Sequence, residues 1–241
     1  MPASPHGAFV LFGGQHLVAL AVTAGVAALA VGLSRRRPET AQRVGRAVAL
    51  ALVASGVGYV VIDATAGTPW RQWFPLHLCD LVVYIGAAAL WTRRPLLAEM
   101  TYFWGLAGAL PAMLTPDLPL GFPDFHFVFY FAQHGFIVVS ALLLASADDV
   151  HPRAWAPLRL WLWLNAVALP VAVFDHLADA NFMYLRAKPP TATPLDWFGE
   201  WPAYILAGEV FALVLFGLLY LPFIIWVRRE AGQTRGLRDG G

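Results

Sequence analysis

The sequence has 241 residues, of which 59% are hydrophobic and only 13% are charged, and its formal net charge is +1. Soluble domains carry about 25% charged residues, so this composition excludes an ordinary soluble domain and predicts an integral membrane protein whose partners are membrane lipids. The charge is too small for a nucleic-acid partner, protein partners are left open, and the single cysteine excludes an internal disulfide.

Seven apolar stretches follow one another along the chain, each near the roughly 20 residues that a transmembrane helix needs. They cover residues 15–33, 45–63, 75–91, 97–114, 125–145, 158–174 and 203–227. The first basic residue, Arg35, lies beyond the first stretch, so we expect that stretch to be a retained helix and not a cleaved signal. The predicted fold class is all-α, with residues 1–241 forming one polytopic domain, a bundle of seven transmembrane helices.

The basic residues are distributed unevenly between alternate loops. Thirteen of the sixteen Lys and Arg residues fall on one side, and the other side holds only Arg71, Arg186 and Lys188. Because cytoplasmic loops carry the excess of basic residues, we predict an extracytoplasmic N-terminus and a cytoplasmic C-terminus.

Polar side chains concentrate at the predicted outer ends of the helices. One face of the fifth helix carries four of them, because they recur at i, i+4, i+7 and i+8. These four are His126, Tyr130, Gln133 and His134. Ionisable groups inside a membrane cost about 2.5–3.5 kcal/mol each on insertion scales, so they mark a site or bind helices together. The candidate site residues in chain order are His77, Cys79, Asp80, Thr115, Asp117, His126, Tyr130, Gln133, His134, Asn181, Tyr184 and Glu209.

Cys79 lies near the start of the third predicted helix, where Pro75 suits the first turn. A free cysteine is usually a small buried hydrophobe, but the positive end of a helix dipole favours a reactive thiolate. His77 lies about 200° away from Cys79 around the helix and is a poor direct base, although it shares a face with Asp80. His134 has the best depth to act as the base. For His77, capping the helix or contacting a lipid headgroup is as well supported as any catalytic role.

Two other chemistries can be compared with the residues present. A retinal protein needs a lysine in its last helix, but the sole lysine, Lys188, lies in a loop. Zinc stays open as a minor alternative, because an intramembrane zinc hydrolase needs several converging His or carboxylate ligands and the chain has no HExxH motif. The residues available as zinc ligands are His77, Cys79, Asp80, His126 and His134. We expect no metal and no other cofactor in the main hypothesis.

Several motifs in fixed order resemble the YwaF-like family of bacterial integral membrane proteins. They are Pro75–Asp80, Tyr102–Gly108, Leu114–Asp117, His134–Gly135, Asn181–Leu185 and Trp201–Leu206. The resemblance implies a multi-pass protein of the bacterial plasma membrane. Its relatives include a eukaryotic acyltransferase that moves fatty acyl groups between phospholipids with a proposed cysteine and histidine pair, which falls here on Cys79 and His134.

The resemblance also implies kinship with lipid-ester hydrolases that use a threonine nucleophile, which makes Thr115 a second hydroxyl of interest. Phe182 departs from the tyrosine expected after Asn181, and Tyr184 is available to supply that hydroxyl.

The leading hypothesis is a thiol-dependent acyltransferase, or a lipid-ester hydrolase, in which His134 activates Cys79. Tyr130, Gln133 or the first helical amides would stabilise the oxyanion, and Asp80 or Asp117 would orient an imidazole. The alternative is a non-enzymatic transporter or sensor that binds a lipid or small molecule in the outer half of the bundle. Glu209 and His134 would then be substrate or proton sites.

Overall fold

The computed structural model describes the backbone of residues 7–147, 150–189 and 194–239, and the side chains within 7–147, 150–189 and 196–225. In these ranges the chain forms eight α-helices and two short 3₁₀ turns, Phe182–Tyr184 and Pro194–Phe198. The helices are α1 Gly14–Ser34, α2 Pro38–Thr65, α3 Trp70–Trp73, α4 Leu78–Thr92, α5 Pro95–Leu114, α6 Phe125–Ser146, α7 Ala156–Ala178 and α8 Ala203–Asp239. The predicted all-helical class is confirmed, and each predicted stretch overlaps one helix of 15 or more residues.

Five of the described helices, namely α1, α2, α6, α7 and α8 through Ile225, are long and apolar enough to cross a membrane. Helix α4 is apolar but has only 15 residues, and α5 carries Glu99 and Pro111 in its 20 residues. The chain is therefore an integral multi-pass membrane protein. The count of seven crossings and the orientation of the termini stay predictions.

Helix α6 lies at the centre of the bundle, where it contacts α1, α2, α4 and α5. Helices α7 and α8 pack on each other and on α5 at the other side. Small residues allow the close approach: a Cβ at Gly105 would lie 3.0 Å from Ile137, and a Cβ at Gly86 would lie 3.2 Å from the Ser140 hydroxyl. The central helices therefore hold the polar side chains of α4 and α6 in a rigid frame.

A buried ion pair joins the start of α5 to the start of α7. Arg159 donates to Glu99, and the two side chains are only 23% and 6% exposed. The Arg159 guanidinium also lies 5.2 Å from the ring centre of Trp155, and the Trp104 indole donates to the Leu160 carbonyl at 3.1 Å. These contacts fix α7 at the end of the bundle opposite Cys79.

Candidate functional site

Helix α4 begins at Leu78, three residues later than predicted, with His77 as its N-cap. The reason is local, because the His77 amide donates to the Asp80 carboxylate at 3.1 Å instead of continuing a helix from Pro75. An acid at this third helical position is typical of a capped helix start. Cys79 is consequently the second residue of the helix and lies among first-turn amides that lack carbonyl partners within the helix.

Asp80 also connects α4 to α6. Its second carboxylate oxygen accepts a hydrogen bond from the Gln133 amide at 3.0 Å. Gln133 is 6% exposed, so this bond is made in a nearly dry environment where polar groups need partners. Two predicted supporting residues therefore form one link between the helices that carry Cys79 and His134.

His77 lies against the loop between α7 and α8, the last loop on the predicted outer side and hereafter the last outer loop. Its Nδ1 accepts a hydrogen bond from the Met183 amide at 3.2 Å, and its ring packs against Phe182 and Tyr184 at centroid distances of 5.4 and 5.3 Å. Burial lowers the pKa of His77, and the neighbouring carboxylates, Asp80 first, oppose that effect only in part. The imidazole is therefore neutral at pH 7, with Nδ1 as an acceptor.

This environment predicts a pH dependence of stability. Because the pKa of His77 is lower in the folded protein than its ordinary value of about 6.5, the unfolded chain binds more protons below that pH. The free energy of unfolding should fall as the pH drops below about 6.5. A His77→Asn variant retains an acceptor for the Met183 amide but does not titrate, so its melting temperature should fall less between pH 7.5 and 5.5.

The matched measurement is thermal unfolding of both proteins in the same detergent at each pH. Equal pH slopes for the wild type and for His77→Asn would contradict the assignment of a buried neutral His77.

The loop that contacts His77 has an unusual backbone. Met183 and Tyr184 both have left-handed conformations, with φ of 55° and 56°, which non-glycine residues adopt at a cost of about 1–3 kcal/mol each. The loop is held by bonds from the Phe182 amide to Asp175 at 3.0 Å and from the Tyr204 hydroxyl to the Tyr184 carbonyl at 2.6 Å. The surrounding structure thus maintains a strained segment next to the start of α4.

Tyr184 directs its hydroxyl to Asp117, at 3.4 Å. Phe182, which departs from the expected motif, is fully buried in an apolar cluster. A hydroxyl in this segment is therefore supplied by Tyr184, and Asp117 is its acceptor.

His134 is held by its own helix in a defined tautomer. Its Nδ1 lies 2.8 Å from the Tyr130 carbonyl oxygen, which can only accept, so Nδ1 carries the proton and Nε2 has the free lone pair. The ring stacks on Tyr130 at 4.2 Å, and the Tyr130 hydroxyl donates to the Ala112 carbonyl at 2.8 Å. This is the arrangement that a general base requires, because a second group fixes its orientation.

Cys79 packs against α5, and a Cβ at Gly108 would lie 3.8 Å from its sulfur. The Tyr130 hydroxyl donates to the Ala112 carbonyl, one turn after Gly108 on the same face of α5, and the Tyr130 ring stacks on His134. Cys79 and Tyr130 therefore lie against one face of α5, with His134 beside Tyr130.

The remaining candidates have other surroundings. Thr115 donates to the Pro111 carbonyl of its own helix at 3.0 Å, and His126 lies 3.3 Å from Asp63. Glu209 accepts from Asn165 at 3.0 Å, between α7 and α8.

Asn181 closes the last outer loop on itself. Its side-chain oxygen accepts from the amides of Arg186 and Ala187 at 2.9 and 3.0 Å, and its amide donates to the Ala187 carbonyl at 2.8 Å. The side chain therefore stabilises the loop, and its polar atoms are used within it.

Sequence analysis missed two buried carboxylates near the C-terminal ends of α2 and α7. Asp63 and Asp175 are 3% and 0% exposed, and in each the Oδ2 atom has no hydrogen-bond partner among the described residues. The signal that identifies them is an aspartate within an apolar helix. No group of three or more His, Cys, Asp or Glu side chains in the described ranges is arranged to hold a metal ion.

An apolar groove of about 750 Å³ lies between α1, α5 and α6. Two of its lining residues border the His134 segment: a Cβ at Gly135 would lie 3.1 Å from the Thr23 hydroxyl, and Met113 follows the residue that accepts from Tyr130. The volume is in the range of small-molecule sites. The lining is Leu20, Thr23, Ala24, Ala27, Ala28, Val31, Arg35, Leu110, Met113, Leu114, Val138, Leu142, Ala145 and Ser146.

Comparison with known proteins gives one family. No solved structure matches the chain. A protein of Treponema pallidum (strain Nichols) described as uncharacterized is 32% identical over 226 residues, which are 90% of this chain and 91% of the relative. The TMEM164 family model matches residues 11–220, whereas the relation to the YwaF-like family stays a prediction. The chain is thus a membrane protein that belongs to the TMEM164 family.

Proposed function

We propose that this protein is an integral membrane acyltransferase that moves a fatty acyl group from or between lipids through Cys79 and His134. The observation that carries the proposal is the His134 tautomer, with Nδ1–H held by the Tyr130 carbonyl at 2.8 Å and Nε2 left basic. A second support is that Cys79 and Tyr130 lie one turn apart against α5, with the His134 ring stacked on Tyr130. Membership of a membrane-protein family agrees with a lipid substrate.

In the first half of the reaction, His134 Nε2 takes the proton of Cys79 and the thiolate attacks the ester carbonyl carbon of a lipid. The tetrahedral intermediate collapses, the carbon–oxygen bond breaks, and the leaving lysolipid oxygen takes the proton from the His134 imidazolium. In the second half, an acceptor hydroxyl gives its proton to His134 and attacks the thioester. The thiolate leaves and recovers the proton, and water as the acceptor would give hydrolysis.

The first-turn amides of α4 are the best-supported oxyanion donors. Cys79 is the second residue of the helix, and the amides at a helix start lack carbonyl partners within the helix. Tyr130 and Gln133 are less available, because the Tyr130 hydroxyl is bonded to Ala112 and one Gln133 proton is bonded to Asp80. Each such donor is worth about 2.7–4 kcal/mol where measured.

The groove between α1, α5 and α6 supports a fatty acyl substrate. It is lined mainly by Leu, Ala, Val and Met side chains, and its wall includes Thr23 and Met113, which border the His134 segment. An acyl chain in this groove would remain in an apolar environment while its ester lies near the helix ends that carry Cys79.

The test is covalent capture. Full-length protein in detergent is incubated with a phospholipid that carries an alkyne label in its acyl chain. The acyl adduct on the protein is then identified by mass spectrometry. We expect a hydroxylamine-sensitive thioester on Cys79, no adduct in Cys79→Ala, and a hydroxylamine-resistant oxygen ester in Cys79→Ser. Full turnover by Cys79→Ala would sink the mechanism.

A non-enzymatic transporter or sensor is the second candidate, and the observation that favours it is Glu209. This carboxylate accepts a hydrogen bond from Asn165 at 3.0 Å inside the α7–α8 contact. A binder should lose ligand affinity in Glu209→Gln and tolerate Cys79→Ser, whereas the acyltransferase should show the reverse pattern.

A further inference from the structure

Three basic residues lie on the predicted outer side of the chain, and two of them converge. Lys188 is paired, since its amine lies 3.1 Å from Glu200 and 3.8 Å from Asp196. Arg71 and Arg186, which come from α3 and from the last outer loop, line one cavity of about 440 Å³ together with Asp179, Ala180, Asn181 and Ala187. The predicted outer side has few basic residues, and two of its three therefore lie together at this cavity.

Both guanidinium groups are anchored by the end of α7. Arg71 donates from Nε to the Ala178 carbonyl at 2.8 Å and lies 5.5 Å from the ring centre of Trp70. Arg186 donates from Nη1 to the Asp175 and Ala180 carbonyls at 3.1 and 3.0 Å. These bonds offset the negative end of the α7 dipole and hold both side chains in place.

The anchoring bonds use only part of each guanidinium. The Nη atoms of Arg71, and Nε and Nη2 of Arg186, have no hydrogen-bond partner among the described residues. The one acid that lines the cavity, Asp179, binds Arg186 Nη1 at 3.0 Å and is itself 80% exposed. The residues that line the cavity therefore carry two positive charges and one negative charge, and the two guanidinium groups keep donors without a partner among the described residues.

The number of free donors on the two guanidinium groups determines which kind of anion fits the cavity. A carboxylate has two oxygens and satisfies one guanidinium group, whereas a tetrahedral phosphate has enough oxygens to accept from both. We propose that this cavity binds the phosphate of a ligand through Arg71 and Arg186. The expected ligand is a phospholipid headgroup, because the cavity lies at the outer ends of the helices, at headgroup depth.

The phosphate site is connected to the proposed catalytic helix through a short segment of chain. Ala180 and Asn181 line the cavity, and the strained Phe182–Tyr184 turn follows directly and contacts His77 through the Met183 amide. The inference rests on the proposed function for its meaning, since a headgroup held by Arg71 and Arg186 would set the position of the lipid ester relative to Cys79.

Binding is tested on full-length Cys79→Ala protein in detergent, so that no turnover consumes the probe. The probes are dihexanoylphosphatidylcholine, dihexanoylglycerol and inorganic phosphate, each titrated by calorimetry at low and high salt. We expect the phosphatidylcholine to bind about tenfold more tightly than the glycerol, with a loss of about tenfold in Arg71→Gln and in Arg186→Gln. Lys188→Gln is the matched control and should bind as its parent.

Arg186 also stabilises the end of α7, so its substitution affects more than the cavity. A variant that makes the cavity more positive therefore complements the two arginine substitutions. Asp179→Asn removes the competing acid and should tighten phosphatidylcholine binding by about threefold or more, in a protein with unchanged thermal unfolding. Equal affinities for phosphatidylcholine and dihexanoylglycerol, or folded Arg71→Gln and Asp179→Asn proteins that bind like their parent, would overturn the proposal. Arginine-dependent binding of inorganic phosphate as tight as that of the phospholipid would instead identify free phosphate as the ligand and overturn the headgroup assignment.

This outcome is separable from that of the acyltransferase proposal. Headgroup binding is measured in a protein without the thiol, and thioester formation is measured at Cys79. Either result can fail while the other holds.

Discussion

A His134→Gln variant should form the Cys79 thioester about 10²–10⁴-fold more slowly than the wild type, the range that a general base contributes. The wild-type ring is fixed by its bond to the Tyr130 carbonyl and by stacking on Tyr130 at 4.2 Å. Glutamine retains polarity and approximate size but has no basic nitrogen at the position of Nε2. The protein should therefore fold normally and lose proton transfer.

The measurement is the initial rate of thioester labelling as a function of pH. In His134→Gln the rate should rise with pH, because hydroxide in solution then generates the thiolate that the missing base no longer provides. Tyr130→Phe is the matched control, since it loses the bond to the Ala112 carbonyl but retains the ring and the backbone carbonyl that orient His134. A wild-type rate in His134→Gln would show that His134 is not the base.

Most of the helices could be predicted because their signal is local. Apolar length and the flanking Gly, Pro and Arg residues give each helix to within a few residues at most ends. The start of α4 differs from the prediction because the His77 amide donates to the Asp80 carboxylate. Hydropathy does not distinguish this capped start from a helix that begins at Pro75.

The site was predictable in its residue types but not in its pairings. The spacing of Tyr130 and His134 on one face of α6 follows from helical periodicity, and so does their contact. The bonds from Gln133 to Asp80 and from the Met183 amide to His77 join residues 53 and 106 positions apart. Such contacts depend on how the helices pack and on a loop in a strained conformation, and neither is visible in a single sequence.

The ion pair between Glu99 and Arg159 illustrates the same limit. Arg159 counts toward the predicted cytoplasmic excess of basic residues, and Glu99 stands in an apolar stretch with no local sign of a partner. The structure joins them between α5 and α7, with Glu99 only 6% exposed. Arg159, which counts toward the predicted orientation, therefore also fixes the packing of α7 on α5.

Replacing Glu99 with Gln should lower the free energy of unfolding by about 3–5 kcal/mol, because it leaves the Arg159 charge buried without its counter-charge. Arg159 already has one buried nitrogen, Nε, with no partner among the described residues, so it has little capacity to find another acceptor. The loss should persist at high salt, since buried pairs are screened far less than exposed ones. The measurement is reversible unfolding of the detergent-solubilised protein in a denaturing-detergent titration.

Two further variants separate the pair from the general effect of losing a charge. Arg153→Gln removes an exposed arginine from the same end of the bundle and should change the free energy of unfolding by less than about 0.5 kcal/mol. The double variant Glu99→Gln with Arg159→Met removes the stranded charge and should recover much of the stability lost in Glu99→Gln, because a buried pair replaced by uncharged side chains is often nearly neutral. A Glu99→Gln protein as stable as the wild type, or a double variant less stable than Glu99→Gln alone, would contradict this account of how α7 is held.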